Sequence, residues 1–449
     1  MINKHVVSEQ AVDTRILDMC IKQRKPQVAK AYLRCLESNG YALNIYALSK
    51  YLELYLREEP TSDSEEHEII SIFDRIEKEC KYIPLVTLRP CIAALCRTYK
   101  WEKTLELIKD NRMKEIGSTA LSFIIIAAFK HGNVSTGLKL LYEMDDLLMA
   151  SNKYPSMYDA YLNHYVEKEP EKFDKAVTKI FKFWKQFDTV PIKGIVDKFM
   201  NACNKAGWVA NYVTIKRDGN CHRCSKQLSQ MTIDDTIFKK LAKSVLSKTL
   251  VETDIFRSTT PEELNKFKNF IHKTKPYDIV IDGLNVTRGQ ADCIWLKELV
   301  NHFSQDNKKI LVIARQHMYP ASKWISTMEN AYIYFLQNIT QDDPYILYAT
   351  LMSGVNAKFL SFDFFRQHIH KIESRSMRKI FRRWQYTHQY LWHYDTSAGK
   401  LILERPWLYE PYPQCNETNW HIPYRMDSEK SKLLYRPVDT WVCFQAPQK

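Results

Sequence analysis

Glycine is scarce, at 11 of 449 residues, which leaves little room for the tight hairpins of an all-β chain. No apolar stretch approaches the roughly 18 residues of a transmembrane helix. The longest, LSFIIIAAF at 121–129, has the length of a buried helix. The first residues, MINKHVVSEQAV, contain no secretory h-region and lack the Arg-rich, acid-poor character of a transit peptide. Any organelle-targeting sequence is therefore expected to be absent or already removed. A Gly-rich P-loop, G-x-S-x-G and H-E-x-x-H are all missing, so nothing announces nucleotide binding, serine hydrolysis or zinc proteolysis. With no export signal and an odd count of 11 cysteines, a disulfide framework is not expected; thiols or metal ligands in a reducing compartment are.

What is present is ordinary globular material, 45% hydrophobic and 26% charged, in a chain long enough for two or three domains. The net charge of +13 favours a polyanionic partner such as nucleic acid or an anionic membrane surface.

From about residue 12 to 205 an apolar helical run, a short polar turn and a second amphipathic helix recur. Anchored on Cys96, Phe129, Val166 and Cys203 the spacings are 33, 37 and 37, and Cys20 lies 76 before Cys96, about two more periods. A period near 35 residues with two helices per repeat predicts an α-solenoid. The polar stretch REEPTSDSEEHE at 57–68 reads as a loop within a repeat. The repeats look like degenerate pentatricopeptide repeats, which mostly bind single-stranded RNA; helical arrays that bind only protein are the alternative. After 205 the texture changes to strands with Gly-containing turns, beginning at DGNCHRCSKQL.

A βαβ rhythm follows from about 276 to 372, with YDIVIDGLN, KKILVIARQH, AYIYFLQN and AKFLSFD as strands of a parallel sheet. Ligand sites of such sheets lie at the carboxyl ends of the strands. Asp282 ends the first strand and Asp363 ends the fourth, while Asp342 and Asp343 follow the third and open a helix. Asp343 before Pro344 is an ordinary helix start, with Asp at the N-cap and Pro at N1. Asp342 is left without such a role. Four carboxylates at one edge would repel strongly unless they hold hard divalent cations such as Mg²⁺. Two such ions about 4 Å apart can activate a water and stabilise a leaving oxygen, the chemistry of phosphodiester hydrolysis.

Cys221 and Cys224 in CHRC have zinc-knuckle spacing but supply half a site. His421 and Cys443 are candidates to complete it, with Cys415 and His222 as rivals. Such a site would fasten the segment before the α/β domain to the segment after it. In SRSMRKIFRRWQYTHQY, Arg375, Arg378, Lys379, Arg382 and Arg383 share one helical face, and Met377, Ile380, Phe381 and Trp384 fill the other. Near a metal edge, that cationic face reads as a phosphate-backbone contact.

In the order of its parts, and in IDGLN (Asp282), DDPYILYA (Asp342, Asp343), SFDFFRQH (Asp363), FRRWQYTHQ, Cys221, Cys224, WHIP (His421) and WVC (Cys443), the chain resembles protein-only ribonuclease P. The resemblance implies a mainly α chain with an α/β domain. A pentatricopeptide-type solenoid would occupy 1–205, a split zinc-binding central module 206–275 and 391–449, and a NYN/PIN-like metallonuclease domain 276–390. It makes the four aspartates a site for two Mg²⁺ ions, with Mn²⁺ as a substitute, and the Cys₃His set a structural zinc site. The implied activity is endonucleolytic removal of the 5′ leader of precursor tRNA, leaving a 5′-phosphate, with the repeats on the tRNA elbow. The tail looks most like the animal mitochondrial branch, implying a tRNA methyltransferase subunit and a short-chain dehydrogenase subunit as partners, no membrane, and the mitochondrial matrix as location, with the nucleus as alternative. Two rival readings are a non-catalytic pentatricopeptide RNA-binding protein and a metallonuclease for other RNAs.

Overall fold

The computed structural model describes residues 9–447 apart from 24, 42, 57–60, 81, 110–111, 147–150, 250–259, 288–292, 373, 396, 398 and 427–437. The chain divides into two compact units, one running up to Thr214 and including parts of the C-terminal tail, the other built mainly from Ile215–Pro411. Among the described residues, no helix is long and apolar enough to cross a membrane.

The first unit is a stack of helical hairpins: Glu9–Lys22 with Pro26–Ser38, Ile45–Leu52 with Asp63–Glu79, Leu85–Leu95 with Lys103–Leu107, Arg112–Lys130 with Val134–Asp146, and Pro155–Glu167 with Phe173–Phe187. Helix Lys193–Lys205 follows, and the first helices of successive hairpins pack on one another. Cys20, Cys96, Phe129, Val166 and Cys203 each lie near the end of a first helix, and the double interval between Cys20 and Cys96 is filled by the hairpin beginning at Ile45. The run LSFIIIAAF is a buried part of Arg112–Lys130, with Leu121, Ile124, Ile125 and Phe129 fully enclosed.

The stretch 57–68 is not simply a loop. Its residues 57–60 lie outside the described residues, but a helix begins at Asp63. Ser62 accepts from the Glu65 N–H while the Glu65 side chain accepts from the Ser62 N–H, a reciprocal capping box. Asp63, Glu65 and Glu66 crowd the first turn, where negative charge complements the helix dipole. High local polarity there marks a helix start.

Ten strands are described: β1 (Val209–Val213), β2 (Ile279–Asp282), β3 (Ile310–Arg315), β4 (Ala331–Leu336), β5 (Lys358–Leu360), β6 (Gln389–Asp395), β7 (Lys400–Glu404), β8 (Gln414–Asn416), β9 (Asn419–Pro423) and β10 (Trp441–Gln445). The first unit closes with an antiparallel sheet in the order β1-β10-β9-β8.

The second unit is centred on a six-stranded sheet in the order β4-β3-β2-β5-β6-β7. Its strands are parallel except β7, which returns antiparallel to β6. Strand β3 is apolar throughout its buried length, and β2 is apolar up to its last residue, Asp282, as a doubly covered parallel sheet requires of its interior. Helices Asp235–Thr249, Pro261–Thr274, Asp343–Ser353 and Arg375–His388 build a core around Phe267, Tyr345, Phe359, Phe381 and Trp384. Helix Ile294–Gln305 helps to build a second core around Leu296, Val300, Ile281 and Val312. The chain leaves β2 for β3 and β4, then crosses to β5 on the other side of β2. The crevice between β2 and β5 is thus the topological switch point.

Candidate active site and metal centre

Asp282 is the last residue of β2 and is fully buried. Its Oδ1 accepts from the Asn285 N–H at 3.0 Å and its Oδ2 from the Ser361 hydroxyl at 2.9 Å; the Asn285 side-chain amide also donates to Oδ2. Gly283 must follow it, because an added Cβ would lie 2.9 Å from the Ile313 carbonyl oxygen on β3. Burial pushes the Asp282 carboxyl up to about 7, with Asp342 adding repulsion, while the Asn285 and Ser361 bonds pull the other way.

Asp342 and Asp343 follow β4. The helix begins at Asp343, so Asp342 occupies the N-cap and Pro344 the second position, one residue out of step with the sequence reading. Asp342 makes no side-chain cap; only its carbonyl enters the helix, accepting from Tyr345 and Ile346. The N-cap role therefore explains neither carboxylate. Asp342 Oδ1 lies 3.7 Å from the Arg315 guanidinium, and Oδ2 is buried with no hydrogen-bond partner. Burial raises the Asp342 carboxyl against the pull of Arg315. Asp343 is pushed up to about 8, first by burial and then by Asp363, Asp342 and Asp282. Asp363 stands just past β5 and accepts from the Phe365 N–H.

The four aspartates thus face one another at the switch-point edge, and Asp342, Asp343 and Asp363 line a cavity of about 460 Å³ with Phe362, Arg366 and His368. Mutual repulsion and an orphaned buried carboxylate oxygen are what a hard divalent cation relieves, so the residues present fit such an ion. Arg315 was not singled out from the sequence. It ends β3 at the same edge, so the strand-end argument that found the aspartates reaches it too.

The cysteine cluster forms from two local geometries. His421 and Cys443 are directly opposed across the β9–β10 pair and buried. Cys221 and Cys224 sit in a tight turn where Ser225 donates to the Cys221 carbonyl at 3.0 Å and takes a positive φ of 56°. One ligand atom from each of the four lies within 4.8 Å of all the others. Burial pushes His421 down to about 4, leaving it as the neutral imidazole a metal needs. Neither rival joins the cluster, and Cys415 donates instead to the Glu417 carbonyl at 3.2 Å.

In helix Arg375–His388, Phe381 and Trp384 are buried as the amphipathic pattern requires. Arg378 Nε donates to the Ile372 carbonyl at 2.6 Å, and Arg383 pairs with Glu410. Lys379 and Arg382 are half-buried, and the side chain of Arg375 lies outside the described residues.

A helical-repeat unit and an α/β unit with a carboxylate-lined switch point define an RNA-directed nuclease with an appended Cys/His cluster. The model of the family described as PRORP, protein-only RNase P, matches residues 215–443. The chain belongs to that family and is an endoribonuclease of precursor-tRNA 5′ processing. It is similar to the mitochondrial ribonuclease P catalytic subunit of Rattus norvegicus, with 25% identity over 434 residues, covering 93% of this chain and 72% of the rat protein. The Mus musculus protein of the same name is also 25% identical over 434 residues, with 93% and 73% covered. The crystal structure of nuclear proteinaceous RNase P 2 from A. thaliana shares the fold, with a TM-score of 0.66 at 15% identity over 98% of this chain and all of that one.

Proposed function

We propose that this chain removes the 5′ leader of precursor tRNA by Mg²⁺-dependent hydrolysis and leaves a 5′-phosphate on the mature tRNA. The observation that carries the reading is the convergence of Asp282, Asp342, Asp343 and Asp363 at the β2/β5 crevice, with Asp342 Oδ2 buried and unpartnered. These four carboxylates would hold two Mg²⁺ ions, or Mn²⁺ in their place. Divalent ions so held supply a water of lowered pKa and neutralise charge developing on the leaving oxygen. The aspartates would contribute the negative charge that retains the ions, with Asp282 fully buried and Asp342, Asp343 and Asp363 facing the cavity from which water and substrate would arrive. In the reaction water adds to phosphorus and the O3′–P bond breaks. The leader departs with a 3′-hydroxyl and the tRNA keeps the phosphate.

The helical repeats would hold the tRNA elbow, and Arg375, Arg378, Lys379, Arg382 and Arg383 would lie along the backbone near the cleavage junction. Arg383 would have to exchange Glu410 for a phosphate. Cys221, Cys224, His421 and Cys443 would hold a structural Zn²⁺, since three thiols and a neutral imidazole are a closed tetrahedral donor set. Similarity to mitochondrial catalytic subunits supports a mitochondrial location. The matrix, and a tRNA methyltransferase subunit and a short-chain dehydrogenase subunit as partners, rest on the family resemblance alone.

The test is incubation of the purified chain with leader-bearing precursor tRNA and Mg²⁺, with and without the two partner subunits, mapping the cut and its ends. A cut at the leader junction with a 5′-phosphate, lost in Asp342→Asn while tRNA binding persists, is expected. Unchanged cleavage in that variant would overturn the site assignment.

A further inference from the structure

The loops that deliver three of the four aspartates are each hung from one buried side chain. The Glu263 carboxylate, on helix Pro261–Thr274 and only 7% exposed, accepts from the Gln337 N–H at 2.7 Å and the Thr340 hydroxyl at 2.9 Å. Both belong to the short connection between β4 and helix Asp343–Ser353, whose end is Asp342. On the other side of the crevice, Gln389 opens β6 and is also 7% exposed. Its Nε2 donates to the Ser361 carbonyl at 2.6 Å and the Asp363 carbonyl at 2.9 Å. Its Oε1 accepts from Gln385 at 3.0 Å, and Gln385 is fully buried. This gives the motif FRRWQYTHQ a use that its cationic face does not supply.

We propose that Glu263 and Gln389 are positioning residues that fix the separation of the Asp342–Asp343 and Asp363 loops, and so set the carboxylate cluster to the size of its divalent ions. The proposal rests on the metal-site reading above. Ligands must be held within ~0.5 Å of productive geometry, and loops do this only when their backbone is tied to rigid elements. Glu263 ties one loop to a helix and Gln389 ties the other to a strand. Four carboxylates that repel one another in the absence of metal would otherwise spread those loops apart. Residues that orient metal ligands typically carry a 10–100-fold share of affinity or activity.

The test is Mn²⁺ binding to the folded full-length chain, by calorimetry or by the electron-paramagnetic signal of the free ion, alongside the Mg²⁺ dependence of single-turnover cleavage with its partner subunits. Glu263→Ala and Gln389→Leu are expected to weaken Mn²⁺ binding by about tenfold or more and to move the Mg²⁺ midpoint for cleavage upward equally, with tRNA affinity unmoved. Glu263→Gln should recover most of the loss, because its carbonyl still accepts from Gln337 and the Thr340 hydroxyl can turn to accept from its amide. Should Glu263→Ala fail to fold, Thr340→Val removes one of the two bonds at nearly constant volume and should give a smaller shift in the same direction. Exposed Glu262→Ala is the control. Folded Glu263→Ala (or Thr340→Val) and Gln389→Leu with wild-type Mn²⁺ affinity, and only a lowered melting temperature, would overturn the proposal. If the wild type binds Mn²⁺ but cuts no precursor tRNA, the substrate reading fails, and the Mn²⁺ isotherms still decide the positioning role.

Discussion

Asp343→Asn should make the metal-free protein more stable while destroying its activity. The half-buried Asp343 carboxyl is pushed from 3.8 up to about 8, first by desolvation and then by repulsion from Asp363, Asp342 and Asp282. A tenfold change in proton affinity corresponds to ~1.4 kcal/mol, so at pH 7.5 the native state carries a penalty of at most ~5 kcal/mol at this side chain. The site opens on a cavity, and water entry and side-chain movement take back most of that. An asparagine, which has no charge to bury, should therefore gain ~1–2 kcal/mol, or several °C in the melting of the α/β unit. The sign follows from proton uptake. Between 3.8 and about 8 the native state holds the proton more tightly than the unfolded chain, so wild-type stability falls as pH rises and levels off above about 8. The advantage of the variant should be near zero at pH 4 and largest at pH 8. With saturating Mg²⁺ the order reverses, because only the wild type is stabilised by binding. Differential scanning fluorimetry from pH 5 to 8.5, in chelator and in Mg²⁺, reads all of this. A variant that melts lower than wild type in chelator at pH 7.5, yet responds equally to Mg²⁺, would refute the reasoning.

Cys221→Ser should reduce zinc content by elemental analysis and lower the melting temperature, since Cys221 is buried among the other three donors; full zinc with a normal melt would contradict it. Charge reversal at Arg378 and Arg382 should weaken precursor-tRNA binding and flatten its dependence on salt, read from binding isotherms at several ionic strengths, and an unaltered slope would return that face to solvent. Gly283→Ala should cost ~1–3 kcal/mol by forcing β2 from β3, and displaced Asp282 should also lower cleavage; unchanged melting and rate would remove the close approach at Ile313 from the account.

The strands were legible because β2, β3, β4 and β5 are apolar or aromatic runs with a polar break at each end, and the aspartates fall at those breaks. The helix of Asp63–Glu79 was hidden in a polar stretch, although Ser62 and Glu65 carry the capping-box spacing, because its acidic first turn outweighed the apolar period that follows. The N-cap was misread by one residue, since Pro is accepted at either of the first two helical positions and the dipeptide alone does not say which. Glu263 and Gln389 left no local signal. The loop groups they hold lie 74 and 77 residues away for Glu263 and 28 and 26 for Gln389, so this use exists only once the sheet is assembled.

At 342–343 the ordinary rules of local stability are broken more than once. Asp342 stands at an N-cap position without capping, one of its oxygens is buried unpaired, and its neighbour is held among three like charges. Each of these disfavours the fold on its own, whereas Ser62, Thr260 and Asn44 cap their helices with a side-chain oxygen. A sequence consistent at most levels and inconsistent at one edge points to that edge as the place where stability is given up for chemistry. The polar ties from Glu263 and Gln389 converge on the same edge, and they explain how loops under repulsion keep their positions until a cation arrives.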